Sequence, residues 1–120
     1  MRPTILFVDD EIINLFVLEK RFEGDYNVLT AESGEEALKK IEENKENISA
    51  LISDLRMPGM DGLQLIDKIK PSLIDIPCFL LTGYERNEQI EGAISSKKVV
   101  YMFKKPFDYN EIDSVLKDTL

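Results

Sequence analysis

Residues 48–62 of this 120-residue chain, ISALISDLRMPGMDG, are the clearest indication of its fold class. The first six residues of this stretch are mostly apolar and predict a strand, because short apolar runs of this length suit a buried strand better than a helix. The run ends directly in Asp54. Residues 62–70 predict a short helix that stops before Pro71, since the residue before a proline avoids the helical conformation. A strand, an acidic loop and a helix therefore follow one another.

The same succession repeats along the chain. Further strands are predicted at residues 4–8, 26–31, 77–82 and 99–103, the first being a continuous apolar run typical of a strand buried on both faces. Helices are predicted at residues 12–22, after a Ser33 cap to 44, at 86–96, and after an Asp108 cap to 118. Alternating strands and helices predict a parallel sheet covered on both faces, with residues 1–120 as one domain.

The composition excludes several functions. The net charge is −8, which argues against direct nucleic-acid binding. There is no histidine, so the chain has no imidazole metal ligand and no histidine base. A single cysteine, Cys78, rules out an internal disulfide framework and fits a reducing compartment. The apolar runs are too short to span a membrane, and no signal peptide precedes the first strand, so a cytoplasmic location is expected.

Polar side chains follow four of the five predicted strands. Parallel strands end at one edge of a sheet, so these side chains are expected to converge there. They are Asp9 and Asp10 after the first strand, Asp54 after the third, Thr82 at the end of the fourth, and Lys104 and Lys105 after the fifth. Three carboxylates need a counter-charge, which a lysine or a divalent cation supplies. All-oxygen ligands favour Mg²⁺. Together these groups are the parts of a phosphoryl-transfer site.

Four segments carry a resemblance to a known family over the whole chain. They are Val8-Asp9-Asp10-Glu11 with Asn14, residues 54–62, Leu81-Thr82-Gly83, and Lys105-Pro106-Phe107. In this order they resemble the receiver domain of two-component response regulators. The resemblance implies a flavodoxin-like α/β fold: a five-stranded parallel sheet in the order 2-1-3-4-5 with five helices on both faces.

The resemblance also implies a role for each site residue. Asp54 is the expected phosphoacceptor. Asp10, Asp54 and the Arg56 backbone carbonyl are the expected Mg²⁺ ligands, with Mn²⁺ as a substitute, and Asp9 holds metal-bound water. Lys105 pairs with Asp54 and then with a phosphoryl oxygen, to which Thr82 also donates. The Lys105–Pro106 peptide bond is expected to be cis.

Partners follow from the same resemblance. The expected phosphodonor is a histidine kinase or a histidine phosphotransfer protein, because the chain has no histidine of its own. Phosphorylation is expected to switch binding of a downstream effector, or dimerisation, through the face formed by helix 4, strand 5 and helix 5. Neither nucleic acid nor a membrane is an expected partner, and the domain is not expected to be an enzyme.

One switch position departs from the family pattern. Receivers carry tyrosine or phenylalanine three residues before the site lysine, where this chain has Met102. Strand alternation sends the neighbouring Tyr101 and Phe103 to the opposite face. Met102 is interpreted as ordinary packing of strand 5, with a loosened switch as the alternative.

The first helix is apolar over too wide an arc to be wholly buried. The resemblance implies that the stripe of Asn14, Val17, Leu18 and Phe22 packs on the sheet. It also implies that a second stripe, containing Ile12, Leu15 and Phe16, is exposed beside the site and docks a kinase helix pair.

Two other functions stay open. A Mg²⁺-dependent phosphatase with an aspartate nucleophile needs a second acid two residues later, where this chain has Arg56. A pseudo-receiver that only binds proteins has no need for the complete set of site residues.

Overall fold

The structure, a computed structural model, describes residues 2–70, 76–83 and 86–120. Strands and helices alternate within these ranges. The strands are β1 (Thr4–Val8), β2 (Asn27–Ala31), β3 (Ala50–Ser53), β4 (Cys78–Thr82) and β5 (Tyr101–Lys104). The helices are α1 (Ile12–Phe22), α2 (Gly34–Asn44), α3 (Gly62–Ile69), α4 (Glu88–Ser95) and α5 (Tyr109–Thr119). None of the described helices combines the length and apolar character needed to cross a bilayer.

All strand pairs are parallel, and the sheet order is β2-β1-β3-β4-β5. The predicted fold is therefore confirmed. Val8 pairs with Ser53, and Thr82 pairs with Lys104. This register brings the carboxyl ends of the three central strands and of β5 to one edge of the sheet.

Two apolar cores lie on opposite faces of the sheet. Helices α2, α3 and α4 cover one core, which includes Met102. Helices α1 and α5 cover the other, which includes Phe103. Consecutive residues of β5 thus enter different cores, as strand alternation requires. Cys78 is buried in the first core, where it packs as a small apolar residue.

Side-chain caps lie at the start of α2, α3, α4 and α5. The predicted caps are confirmed: Ser33 accepts a hydrogen bond from the Glu36 N–H, and Asp108 accepts from the Asn110 N–H. Helix α4 begins two residues later than predicted because the Asn87 side chain caps it, accepting from the Ile90 N–H at 2.9 Å. The predicted stop of α3 at Pro71 lies outside the described residues.

Helix α1 buries a different stripe from the predicted one. Leu15, Leu18 and Phe22 are buried, at the spacing of one helical face. Leu15 was expected to be exposed and Val17 to pack on the sheet, and both expectations are wrong: Val17 is 46% exposed. Rotating the helix towards Leu15 lets this leucine share the core with Leu18 and Phe22, while the smaller Val17 is left outside.

A charge-assisted hydrogen bond joins Tyr26, the residue before β2, to Asp113 on α5. The buried Tyr26 hydroxyl donates to Asp113 Oδ1 at 2.5 Å. Burial and this hydrogen bond raise the pKa of Tyr26, and the same hydrogen bond lowers the pKa of Asp113. The bond therefore stabilises the form in which Tyr26 is neutral and Asp113 is ionised.

The substitution Tyr26→Phe is expected to lower the free energy of unfolding by about 1 kcal/mol at neutral pH. The loss of stability is expected to depend on pH, because both partners of the hydrogen bond titrate. The lowered pKa of Asp113 makes its contribution present above about pH 4 and lost as the pH falls further. The raised pKa of Tyr26 makes its contribution present below about pH 10 and lost as the pH rises beyond it. Urea unfolding of both proteins from pH 3 to 11 measures the difference, and a difference independent of pH would contradict this account.

Candidate functional site

Three carboxylates meet at the carboxyl edge of the sheet. Asp9 and Asp54 directly follow the paired ends of β1 and β3, and Asp10 follows Asp9. One carboxylate oxygen of each lies within 4.8 Å of the others. Asp9 and Asp54 are only 2% and 7% exposed, whereas Asp10 faces solvent. The site therefore has two buried acids and one open one.

Lys105 supplies the counter-charge between the two buried acids. Its Nζ atom donates to Asp9 Oδ2 at 3.0 Å and to Asp54 Oδ2 at 3.1 Å. The peptide bond from Lys105 to Pro106 is cis, as expected. Of the two expected ammonium groups, Lys105 binds Asp9 and Asp54, and Lys104 lies in β5 with an exposed side chain. The predicted convergence of Asp9, Asp54 and Lys105 is confirmed.

Burial and neighbouring charges have opposite effects on the pKa values of Asp54 and Lys105. Burial of the Asp54 carboxyl, together with the nearby Asp9, raises its pKa, and Lys105 offsets part of that rise. Burial disfavours the charged form of Lys105, but hydrogen bonds to Asp9 and Asp54 outweigh it and raise the pKa of the ammonium group. Lys105 is therefore held in its charged form beside the carboxylates.

The fourth strand contributes Thr82 to this edge of the sheet. This residue is fully buried at the end of β4, and its carbonyl oxygen accepts the Lys105 backbone N–H at 3.0 Å. Met102 lies on β5 opposite Leu80 and is 8% exposed. Its packing in the apolar core agrees with its interpretation as a packing residue.

The loop after β3 depends on close backbone contacts. The Ser53 hydroxyl donates to the Asp54 carbonyl oxygen at 2.8 Å, and the Gly62 N–H donates to the Leu55 carbonyl oxygen at 2.9 Å. Gly59 has a φ of 76°, a conformation that favours glycine. The side chain of Arg56 is exposed at the start of this loop.

Asn14 was quoted with the acidic motif but expected on the packing stripe of α1, and its side chain contacts the site. Its side-chain amide lies 3.4 Å from Asp9 Oδ2, the oxygen that also accepts from Lys105. The other Asp9 oxygen accepts the Glu11 backbone N–H at 2.9 Å. An amide in the first turn of a helix that follows an acidic strand end was the available signal, but Asn14 was assigned to the packing stripe.

Beside the site, α1 exposes apolar side chains. Ile12 and Phe16 are 62% and 57% exposed, as expected, and Ile13, which was not predicted, is 77% exposed. Leu15 was expected on the exposed stripe, but its side chain packs in the core and is 5% exposed. A cavity of about 470 Å³ separates this helix from the loop after β5, with Val17 and Phe107 among its lining residues.

The donor set fits a hard divalent cation. Three carboxylate groups offer oxygen ligands only, and one of them is open to solvent. Mg²⁺ prefers such ligands and retains several waters, which an open edge allows. The residues therefore fit the metal that the fold class implies.

The parallel sheet, the acidic group at its carboxyl edge and the lysine between two acids define a receiver domain. The sequence matches the family model of the response regulator receiver domain over residues 5–117. The chain belongs to this family and is a receiver domain of two-component response regulators.

Particular relatives are similar over nearly all of this chain. The transcriptional regulatory protein ZraR of Escherichia coli K12 is 32% identical over 97% of this chain, which spans 26% of that protein. The response regulator TrrA of Thermotoga maritima, solved with Mg²⁺ and BeF, is 34% identical with a TM-score of 0.83, covering 98% of this chain and 99% of that one. The chemotaxis protein CheY4 of Vibrio cholerae is 27% identical with a TM-score of 0.85, and each chain is covered completely.

Proposed function

We propose that residues 1–120 act as one receiver domain that accepts a phosphoryl group on Asp54. The observation that carries this proposal is the position of Lys105, whose ammonium group lies between the buried carboxylates of Asp54 and Asp9. A lysine in this position keeps a carboxylate ionised and is ready to bind a phosphoryl oxygen. The likeness to a receiver solved with Mg²⁺ and BeF supports the same chemistry.

The reaction is a transfer between two proteins. A carboxylate oxygen of Asp54 forms a bond to phosphorus, while the bond from phosphorus to an imidazole nitrogen of the donor breaks. The imidazole leaves with a proton taken from solvent, and Asp54 becomes an acyl phosphate. Lys105 moves from the carboxylate to a phosphoryl oxygen, and Thr82 donates its hydroxyl to another. Both groups neutralise charge on the transferred group.

The proposed protein ligands of Mg²⁺ are Asp10, Asp54 and the Arg56 backbone carbonyl. Asp9 is the residue proposed to orient water bound to the cation. The cation, for which Mn²⁺ can substitute, neutralises phosphoryl oxygens when it is bound. Arg56 occupies the position at which a phosphatase needs a general acid, so this proposal gives the chain signalling chemistry without turnover of a substrate.

The proposed partners are proteins of the cytoplasm. A histidine kinase or a histidine phosphotransfer protein donates the phosphoryl group, and an effector protein or domain, or a second copy of the chain, binds afterwards. The proposed switching surface is the face of α4, β5 and α5, with Thr82 linking it to the phosphoryl group and Met102 in the place of the usual aromatic residue.

The proposal is tested by incubating the protein with acetyl phosphate, with and without Mg²⁺, and measuring the intact mass. We expect an increase of one phosphoryl group that requires Mg²⁺ and is lost in Asp54→Asn. The matched control is Asp61→Asn, which changes another acid of the same loop that caps α3. A mass increase that persists in Asp54→Asn would contradict the proposal.

Phosphodonor docking is proposed to use the exposed apolar side chains of α1. A carboxylate placed at Phe16 would lose apolar contact area in the complex, so Phe16→Glu is expected to slow transfer from a phosphorylated kinase at least about tenfold. Transfer from acetyl phosphate is expected to stay unchanged. Val100→Glu, at an apolar side chain 42% exposed and outside α1, is the control. Equal transfer rates for the two variants would contradict this docking surface.

A further inference from the structure

We propose that Tyr109 is a positioning residue that holds the Lys105 ammonium group beside the carboxylates of Asp9 and Asp54. The inference deepens the proposed function and rests on it. Tyr109 is the first residue of α5. It acts through residues 105–108, which connect β5 to α5 and are called the Lys105 loop below.

The Lys105 loop begins on the sheet and then runs beside a cavity. Its first contact is with β4, where the Lys105 backbone N–H donates to the Thr82 carbonyl oxygen at 3.0 Å. The cavity of about 470 Å³ between the loop and α1 follows, with Pro106 and Phe107 among its lining residues. A cavity offers the loop no packing atoms on that side, so other contacts must keep the loop at its distance from α1.

Aromatic contacts at the end of α1 hold the far end of the loop. The ring centres of Phe107 and Tyr109 lie 6.0 Å and 4.7 Å from that of the fully buried Phe22. The Arg21 guanidinium lies 3.8 Å from the centre of the Tyr109 ring, and the Tyr109 hydroxyl donates to Asp25. Tyr109 therefore contacts both the last turn of α1 and the segment that follows it.

Helix α1 joins this contact to the acids of the site. At its start the Glu11 backbone N–H donates to Asp9 Oδ1 at 2.9 Å, and at its end it packs against Tyr109. Lys105 donates to Asp9 and Asp54 at 3.0 Å and 3.1 Å. A shift of the loop by about 1 Å would take both bonds beyond hydrogen-bond length. The spacing between α1 and the Lys105 loop therefore decides whether Lys105 reaches both acids.

The test compares Tyr109→Ala, which removes the ring, with Tyr109→Phe, which keeps the ring and removes the hydroxyl. The initial rate of phosphorylation by acetyl phosphate at saturating Mg²⁺, per folded molecule, is expected to fall at least about fivefold in Tyr109→Ala. Tyr109→Phe is expected to stay within about twofold of the wild-type rate, because its ring still packs on Phe22 and the lost hydroxyl bond was to an exposed carboxylate.

Mg²⁺ affinity gives the readout that a general structural defect would not produce. The proposed protein ligands of the cation lie outside the Lys105 loop, and an ammonium group that has moved away repels the cation less. The dissociation constant of Mg²⁺, measured by NMR, is therefore expected to stay the same or to decrease in Tyr109→Ala while the phosphorylation rate falls.

A double-mutant cycle tests whether Tyr109 acts through Lys105. In a Lys105→Met background, Tyr109→Ala is expected to change the remaining phosphorylation rate less than about twofold, because the group that it positions is gone. Tyr109→Leu gives the same comparisons if the alanine variant does not fold, with a decrease of at least about twofold in the wild-type background.

The matched control is Tyr26→Phe. It removes another hydrogen bond from a tyrosine to an aspartate, one that ends on α5 outside the Lys105 loop, and is expected to leave the rate within about twofold of the wild-type value. An unchanged rate in Tyr109→Ala, an equal loss in Tyr26→Phe, a parallel loss of Mg²⁺ affinity, or the same loss in the Lys105→Met background would overturn the inference alone. Absence of phosphorylation of the wild-type protein would overturn the proposed function as well.

Discussion

Replacing Gly62 by alanine is expected to lower the free energy of unfolding by about 3 kcal/mol or more and to abolish phosphorylation of the folded fraction. A Cβ atom at this position would lie 2.3 Å from the Asp54 carbonyl oxygen and 3.2 Å from Leu55 Cα. Both are backbone atoms, so no side chain can move aside. Relief of the clash requires the start of α3 to separate from the end of β3, which displaces the phosphoacceptor itself.

The matched control for this prediction is Gly92→Ala. Gly92 lies inside α4, and a Cβ atom there would meet no atom of the described residues within 4 Å, its two chain neighbours and the backbone of its own helix apart. Alanine is a better helix former than glycine, so this variant is expected to raise the free energy of unfolding by about 1 kcal/mol. Urea unfolding and the acetyl phosphate assay measure both variants. Wild-type stability in Gly62→Ala would contradict the close contact between α3 and Asp54.

Replacing Lys105 by methionine is expected to lower the free energy of unfolding by about 2 kcal/mol in the absence of divalent cations. The variant leaves the buried carboxylates of Asp9 and Asp54 facing each other without a counter-charge. Removing one partner of a buried ion pair typically costs 3–5 kcal/mol, and the expected value is smaller because the Lys105 side chain is 26% exposed. Methionine keeps the length of the side chain, so the packing changes little.

Mg²⁺ distinguishes this explanation from a simple packing defect. A cation bound to the acidic group replaces the lost positive charge, so Mg²⁺ is expected to raise the melting temperature of Lys105→Met more than that of the wild-type protein. Phosphorylation by acetyl phosphate is expected to stay far slower in the variant even at saturating Mg²⁺, because the phosphoryl oxygen lacks its ammonium partner. An equal stabilisation of both proteins by Mg²⁺ would contradict the electrostatic role of Lys105.

The succession of elements could be predicted from the sequence because each strand is a short apolar run and each helix has a local start signal. Ser33 and Asp108 cap their helices as predicted. The cap at Asn87 was missed because the helix was begun at Arg86, although asparagine is the better N-cap residue of the two. Residues that end parallel strands converge by topology, so Asp9, Asp54 and Lys105 could also be brought together from the sequence.

Side-chain orientation on α1 could not be predicted in the same way. Apolar residues occupy most of the circumference of this helix, so the hydrophobic pattern does not distinguish Leu15 from Val17. Packing against the sheet decides between them, since Leu15, Leu18 and Phe22 share one buried core with Ile5 and Phe7. The contact of Asn14 with Asp9 depends on the same rotation and was therefore out of reach of the pattern.

Asp54, and neither Asp9 nor Asp10, is the proposed acceptor of the phosphoryl group. Sodium borohydride reduces an aspartyl phosphate to homoserine, so reduction after treatment with acetyl phosphate and Mg²⁺ leaves a stable mark on the acceptor. Peptide sequencing by mass spectrometry then locates the mark. Homoserine is expected at position 54, and only when Mg²⁺ is present. Homoserine at position 9 or 10, with aspartate retained at position 54, would contradict it.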